Sequence, residues 1–150
     1  MPEENEEKNM TNVQKSQESL ERLVARGEIL ENQARAINEQ LDRINAMIIE
    51  INRTIETIDN LKNLKNHGLL PIGSGVYITC KNIEEDLFVG IGGDFIVKKN
   101  RTETKKLLEQ KIKELNKIME DGQKKLVLIN SMIDDVNKKA AELSERMKNV

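Results

Sequence analysis

The chain has 150 residues, of which 33% are charged, 37% are hydrophobic and only 2% are aromatic. A globular core normally relies on large aromatic side chains, so three aromatic residues without a tryptophan argue against an ordinary compact domain. A net charge of −2 and a mean hydropathy of −0.58 argue against a strongly basic nucleic-acid-binding protein and against a membrane span. The acidic N-terminus lacks the features of a signal peptide, and the single cysteine, Cys80, cannot form an intrachain disulfide. We therefore expect a cytoplasmic protein.

The first part of the chain is predicted to be a long helix behind a short tail. Residues 1–9 are charged and follow no hydrophobic repeat, which predicts a disordered acidic tail. Over residues 10–67, apolar residues recur at alternating steps of three and four, interrupted between Val13 and Ile58 only at Ser16 and Gly27. So long a heptad seam indicates a coiled coil. We predict that this helix ends at a Gly68 cap, with His67 in its last turn.

Residues 68–100 differ in composition and predict β-structure. They contain six of the eight glycines, the internal proline and all three aromatic residues. Four short runs of β-forming residues, separated by turn sequences, predict two β-hairpins. Pro71 should lie on an edge strand or end its strand, because proline donates no ladder hydrogen bond.

The last part of the chain, residues 101–150, predicts a second coiled-coil helix that starts near Thr102 as its cap. Its seam runs from Leu108 to Val150 with a single interruption, at Gly122. Two helices of about 50 residues would each be roughly 75 Å long, so they should pair side by side as one antiparallel hairpin. For Gly27 and Gly122 we favour a close approach of the helices or a soft joint over chance.

The apolar runs of the hairpins do not alternate with polar residues, so both faces of the sheet need cover. The helices use their apolar stripes on each other and cannot supply it. We therefore expect strands of several chains to form a shared oligomeric β-barrel. The residues predicted to serve in this assembly are Leu69, Leu70, Pro71, Ile72, Val76, Tyr77, Ile78, Leu87, Phe88, Val89, Ile91, Phe95, Ile96 and Val97.

The residues that could suggest catalysis or ligand binding have simpler explanations. The glycines of residues 90–93 lack a phosphate-loop or dinucleotide pattern and suit a turn. His67 and Cys80 have no partner that would make a nucleophilic or metal site, and the acidic patches lack a calcium-binding pattern. The lysine pairs are interleaved with acids and lack stacking aromatics, which disfavours nucleic-acid binding. We predict no enzyme activity, no metal and no cofactor.

Two motifs resemble the prefoldin alpha subunit family. The sequence LLPIGSGVYI of residues 69–78 is similar to the LVPIGxGVYV strand pair of that family, and VGIGGDFIVKK of residues 89–99 is similar to its second hairpin, VDIGAGxxVEK. Asp94 stands where the family usually has a small apolar residue. The motifs lie in order between two long coils, so the resemblance covers essentially the whole chain.

This resemblance implies an ATP-independent holdase of archaeal type. In such a protein two alpha-type and four beta-type subunits share a β-barrel body, and coiled-coil tips hold non-native polypeptides for transfer to a group II chaperonin. Some relatives, of the gamma type, assemble with themselves into filaments, and the sequence leaves that alternative open. A purely structural coiled-coil tether without clients is the other alternative.

Client binding is predicted at the free ends of the two helices, where an antiparallel pair brings residues near both termini together. The seam reaches the last residue without a polar cap, and fraying would expose aliphatic and thioether groups. The predicted client-binding residues are Val13, Leu20, Leu23, Val24, Val136, Leu143, Met147 and Val150.

Overall fold

The computed structural model describes residues 2–63, 67–81 and 86–148. Helix α1 spans Pro2–Asn60 and is followed by a 3-10 turn at Leu61–Asn63. Four strands come next, and they are β1 (His67–Gly73), β2 (Val76–Lys81), β3 (Asp86–Gly92) and β4 (Phe95–Asn100). Helix α2 spans Arg101–Lys148. The predicted fold class, two long helices with two small β-hairpins between them, is confirmed.

The chain divides into two compact units. The terminal unit contains residues 1–42 and 120–150, and the central unit contains residues 43–119. Both long helices contribute to both units.

The predicted seam of α1 is the buried stripe of that helix. Between residues 14 and 58, every side chain that is not exposed occupies a seam position. Leu30, Ile44, Ile51 and Ile58 are the most deeply buried of its large side chains. A heptad repeat produces this pattern because its apolar positions fall on one face of the helix.

The seam of α2 is likewise removed from solvent, from Leu108 through Met147. Met132 lies off the seam and is nevertheless half-buried. Its position, one residue before seam residue Ile133, lets a long flexible thioether fold over the edge of the stripe.

Within each unit the two helix segments run antiparallel. In the central unit, Ile44 and Ile51 of α1 form a cluster with Leu115 of α2, and Lys105 Nζ lies 2.7 Å from Asp59 Oδ1. In the terminal unit, Gly27 faces Val136 and Leu41 faces Gly122. Residue numbers rise along one helix as they fall along the other, as the predicted hairpin requires.

The start of α1 differs from the prediction, because residues 2–9 are helical rather than a disordered tail. Proline suits the first helical position, since it lacks only an N–H that the helix does not use. The helix can therefore begin at residue 2, before the apolar seam does.

The end of α1 also differs. The α-helix stops at Asn60, and His67 and Gly68 belong to β1 instead of forming its last turn and cap. Gly68 pairs with Cys80, and His67 pairs with Lys81. The last seam residue is Ile58, and the pairing of His67 and Gly68 with β2 takes their backbone into the strand.

The cap of α2 is Asn100 and not Thr102. The Glu103 backbone N–H donates to Asn100 Oδ1 at 2.8 Å, which is the geometry of an N-cap side chain. Thr104 is buried, and its hydroxyl donates to the Asn100 carbonyl oxygen at 2.8 Å. Thr102 is the second residue of the helix and is exposed.

The strands form the two predicted hairpins, β1 with β2 and β3 with β4, both antiparallel. Each turn holds two consecutive residues with positive φ, Ser74 and Gly75 in the first and Gly93 and Asp94 in the second. Such turns match the twist of paired strands. Asp94, at φ 62°, has a side chain that tolerates this conformation better than a bulky apolar one would.

Candidate functional site

The first β-hairpin presents an exposed apolar surface. Leu69 is 70% exposed, and four further apolar side chains of β1 and β2 are between 46% and 58% exposed, namely Leu70, Val76, Tyr77 and Ile78. Pro71 pairs with Tyr77 and is also exposed. The side chain of Ile72, also predicted to serve in assembly, lies outside those described.

The second β-hairpin shows the same feature. Phe88 is 73% exposed and Phe95 is 70% exposed, and Ile91 and Ile96 expose more than half of their surface. Leu87, Val89 and Val97 are half-buried. Exposed apolar patches of this extent commonly mark interaction surfaces.

The hairpins also leave strand edges open. Within the described residues, β1 pairs only with β2, and β3 pairs only with β4, so each strand has one unpaired edge. An unpaired edge offers backbone donors and acceptors to a strand from another chain. Apolar faces and free edges therefore occur together on the same hairpins.

The residues predicted to bind clients differ in their exposure. Val24 is 51% exposed, whereas Leu20, Leu23, Leu143 and Met147 are half-buried in the seam. Val136 is only 6% exposed, so in this conformation it belongs to the contact between the helices. The side chain of Val13 and all of Val150 lie outside the described part of the chain.

Several exposed apolar side chains lie beside the seam. In the terminal unit they are Val24, Ile29, Val127 and Leu128, all more than half exposed. In the central unit the structure adds Met47, Ile49 and Ile118, which the sequence analysis did not single out. The heptad register could have found them, because it places them next to the stripe or on its flanks.

The two seam glycines have different environments. A Cβ on Gly122 would lie 2.6 Å from Leu41 Cδ2, so the leucine packs directly on the helix backbone there. A Cβ on Gly27 would lie 3.6 Å from Val136 Cγ1, an ordinary contact distance. The close approach expected of both glycines is therefore found at Gly122 alone.

Exposed ion pairs occur on α2 and on the second hairpin. Lys124 Nζ lies 2.6 Å from Glu120 Oε1, one turn earlier on α2. The hydrogen bond and the charge of Lys124 lower the pKa of Glu120, and those of Glu120 raise the pKa of Lys124. Lys98 and Asp86 form a similar pair between β4 and β3, at 3.1 Å.

Each unit contains a cleft that is lined by described residues. In the central unit, a cleft of about 500 Å³ separates Gly90–Gly92 from α2 and is lined on the helix side by Leu107, Gln110, Lys111 and Glu114. In the terminal unit, a cleft of about 100 Å³ lies between the helices, and Leu23, Arg26, Met132, Asp135, Val136 and Lys139 line it.

Among the described residues, no three His, Cys, Asp or Glu side chains are grouped as a metal site would need.

None of the described helices combines the length and the apolar character needed to cross a membrane.

Comparison with protein families matches the family described as "Prefoldin subunit" over residues 30–146. Among curated proteins, prefoldin subunit alpha of Methanospirillum hungatei is 33% identical over 116 residues, which cover 74% of this chain and 76% of that protein. Prefoldin subunit alpha of Methanosphaera stadtmanae is 32% identical over 93 residues, covering 61% of this chain and 67% of that protein. The Pyrococcus horikoshii protein of the same name is 26% identical and covers 85% of this chain and 88% of its own length.

Among solved structures, a chain of filamentous PFD from Methanocaldococcus jannaschii, determined by cryo-electron microscopy, has a TM-score of 0.66 and 21% identity. The match covers 75% of this chain and 95% of that one. At this identity the likeness establishes the fold.

Proposed function

The chain belongs to the prefoldin subunit family, and from this premise we propose that it is a subunit of an oligomeric, ATP-independent holdase. Family membership supports a chaperone-type role and assembly with other prefoldin subunits. The capture of non-native polypeptides in the cytoplasm, and their delivery to a group II chaperonin, are the finer parts of the proposal.

The observation that carries the proposal is the exposed apolar surface of the two hairpins, exemplified by Leu69, Phe88 and Phe95. Burial of apolar surface contributes about 25 cal/mol per Å², so a partner covering both hairpins would gain substantially. The open edges allow that partner to contribute strands. We propose that hairpins of several subunits join through these faces and edges into a shared β-barrel.

Client holding is assigned to the open end of the helix pair in the terminal unit. Apolar seam residues there, such as Leu20 and Met147, are only half-buried, and Val24 is exposed. Helix ends fray readily, because few contacts hold them. Fraying would bring aliphatic and thioether groups to a client, and several subunits acting together would strengthen weak individual contacts.

Two assemblies remain candidates. The relatives are alpha subunits, which favours a hexamer of two alpha-type and four beta-type subunits. The fold of a chain from a filamentous assembly favours self-assembly of the gamma type. Light scattering of the purified chain, alone and with a beta-type subunit, separates them, because the first needs the partner and the second does not.

The holdase function is tested by aggregation of denatured citrate synthase without nucleotide. We expect near-stoichiometric amounts of the assembled protein to suppress light scattering. A variant with Leu20→Ser and Val24→Ser should lose most of this effect and keep its oligomeric mass.

The matched control carries Met47→Ser and Ile49→Ser, exposed apolar positions in the central unit. It should suppress aggregation like the unmodified chain. Equal losses in both variants would contradict the assignment to the open end. No suppression by the unmodified assembly would favour the structural tether.

A further inference from the structure

The charges of the terminal unit are divided between two sides of the helix pair. In an antiparallel pair, heptad positions g and c of both helices lie along one side of the seam, and positions e and b lie along the other. Among the side chains that the structure describes, the first side, which we call the basic side, has six basic residues and three acidic ones, namely Lys15, Arg22, Arg26, Lys125, Lys139, Arg146, Asp121, Asp135 and Glu142. The described side chains of the opposite side include two basic residues and six acidic ones, namely Arg35, Lys148, Glu21, Glu28, Glu31, Asp42, Glu120 and Asp134.

The small cleft of the terminal unit opens on the basic side. Its apolar part consists of seam residues Leu23 and Val136 together with the half-buried Met132. Arg26, Lys139 and Asp135 line it as well, and all three are exposed. The cleft therefore combines an apolar floor with two cations and one anion.

The two cations of this cleft have no partner in the described part of the chain. Neither Arg26 nor Lys139 makes an ion pair or a side-chain hydrogen bond there, even with the nearby Asp135. An added carboxylate could interact with both cations at once.

Apolar side chains continue from the cleft along the same side. Ile29 lies one helical turn after Arg26, and Leu128 lies one turn before Met132, and both are more than half exposed. At about 1.5 Å per residue, the distance from Arg26 to the level of Leu128 is roughly 13 Å. An extended peptide covers this distance with about four residues, so alternate side chains can reach the cations and then the apolar groups.

We propose that this cleft binds extended segments in which an acidic residue is followed by apolar residues at alternate positions. The proposal rests on the holdase function and adds a substrate preference to it. A volume of about 100 Å³ fits one side chain and not the face of a helix, which favours an extended client over the acidic side of another copy. Selection of this kind would favour β-forming segments of non-native chains, whose side chains alternate.

The test uses two fluorescein-labelled peptides, Ser-Glu-Ser-Leu-Ser-Leu-Ser and the same peptide with Gln in place of Glu. Binding to the full-length protein is followed by fluorescence anisotropy at low salt. Exposed ion pairs predict that the Glu peptide binds about three- to tenfold more tightly. The advantage should shrink at high salt because of screening.

A variant with Arg26→Gln and Lys139→Gln should bind both peptides equally. The control variant, Arg35→Gln with Lys138→Gln, removes the same residue types from exposed positions away from the cleft and should keep the preference. Equal binding of both peptides to the unmodified protein, no binding of either, or loss of the preference in the control variant would overturn the proposal.

A change of oligomeric mass in the cleft variant, measured by sedimentation, would show that another copy occupies the cleft, and this too would overturn the proposal. The aggregation assay reports on the holdase function separately. The peptide preference and the chaperone activity can therefore fail independently.

Discussion

At the scale of single residues, Gly27 and Gly122 show how similar positions in a repeat can have different requirements. Both interrupt an apolar seam, and each costs about 1 kcal/mol in helix propensity relative to alanine. Only Gly122 has a neighbour, Leu41, in the space that a Cβ would fill. The repeat reveals both interruptions, but the facing side chain decides which of them is needed.

We predict that Gly27→Ala stabilises the protein and raises its Tm by about 2–4 °C, because alanine favours the helix and the added Cβ makes an ordinary contact with Val136. Gly122→Ala should lower the Tm, because displacing Leu41 costs about 1–3 kcal/mol, more than the propensity gain. Circular dichroism melts measure both effects.

The control for this prediction is a Leu41→Ala background, in which the clash is absent. There, Gly122→Ala should raise the Tm as Gly27→Ala does. Equal stabilisation by the two glycine substitutions in the otherwise unmodified chain would show that Leu41 does not restrict Gly122.

At the scale of elements, the junction between β4 and α2 depends on a single side chain. Asn100 is the last residue of β4, and its side-chain oxygen caps α2, so the helix begins directly after the strand. Asn100 and Glu103 have the spacing of a capping box, although the common version begins with serine or threonine. Threonine is a common N-cap residue, which is why the sequence suggested Thr102. Thr102 lies inside the helix, however, where its hydroxyl cannot cap the helix N-terminus.

Asn100→Ala should destabilise the protein by about 1 kcal/mol, the usual cost of removing an N-cap side chain. Thr102→Ala should change stability by only a few tenths of that amount, because the exposed second helical position requires no hydroxyl. Urea unfolding followed by helical circular dichroism compares the two, and a larger effect at Thr102 would reassign the cap.

At the scale of the whole molecule, the apolar side chains of the chain serve two purposes. The apolar side chains of the two helix seams pack against each other, as Ile44, Ile51 and Leu115 do. The apolar side chains of the hairpins are exposed to solvent, and Phe88 and Ile96 expose 73% and 68% of their surface. The helices therefore bury their apolar side chains within one chain, whereas those of the hairpins stay exposed in the described part of the chain.

This division predicts that Phe88→Lys with Ile96→Lys reduces the oligomer to smaller species that keep their helix content, since added charges oppose burial of the hairpin face. Multi-angle light scattering gives the mass, and circular dichroism gives the helix content. A variant with Asn32→Lys and Ser131→Lys, at exposed helix positions, is the control for added charge. An unchanged mass of the hairpin variant would contradict assembly through this face.

The element types and the buried stripe could be predicted from the sequence, because heptad spacing and turn residues are local signals that act over a few positions. Ile48 or Leu126 could be assigned to the seam from spacing alone, and the turns at residues 73–75 and 92–94 from their glycines. The prefoldin motifs lie in these locally encoded segments.

Tertiary contacts determine where α1 gives way to strand and which seam glycine has a side chain packed closely against it. His67 joins β1 because Lys81 pairs with it, and the space beside Gly122 is limited because Leu41 faces it. The cleft likewise depends on contact between residues more than 100 positions apart in sequence, such as Arg26 and Met132. Such features arise from partners distant in the chain, and the spacing of residues within one segment carries no information about them.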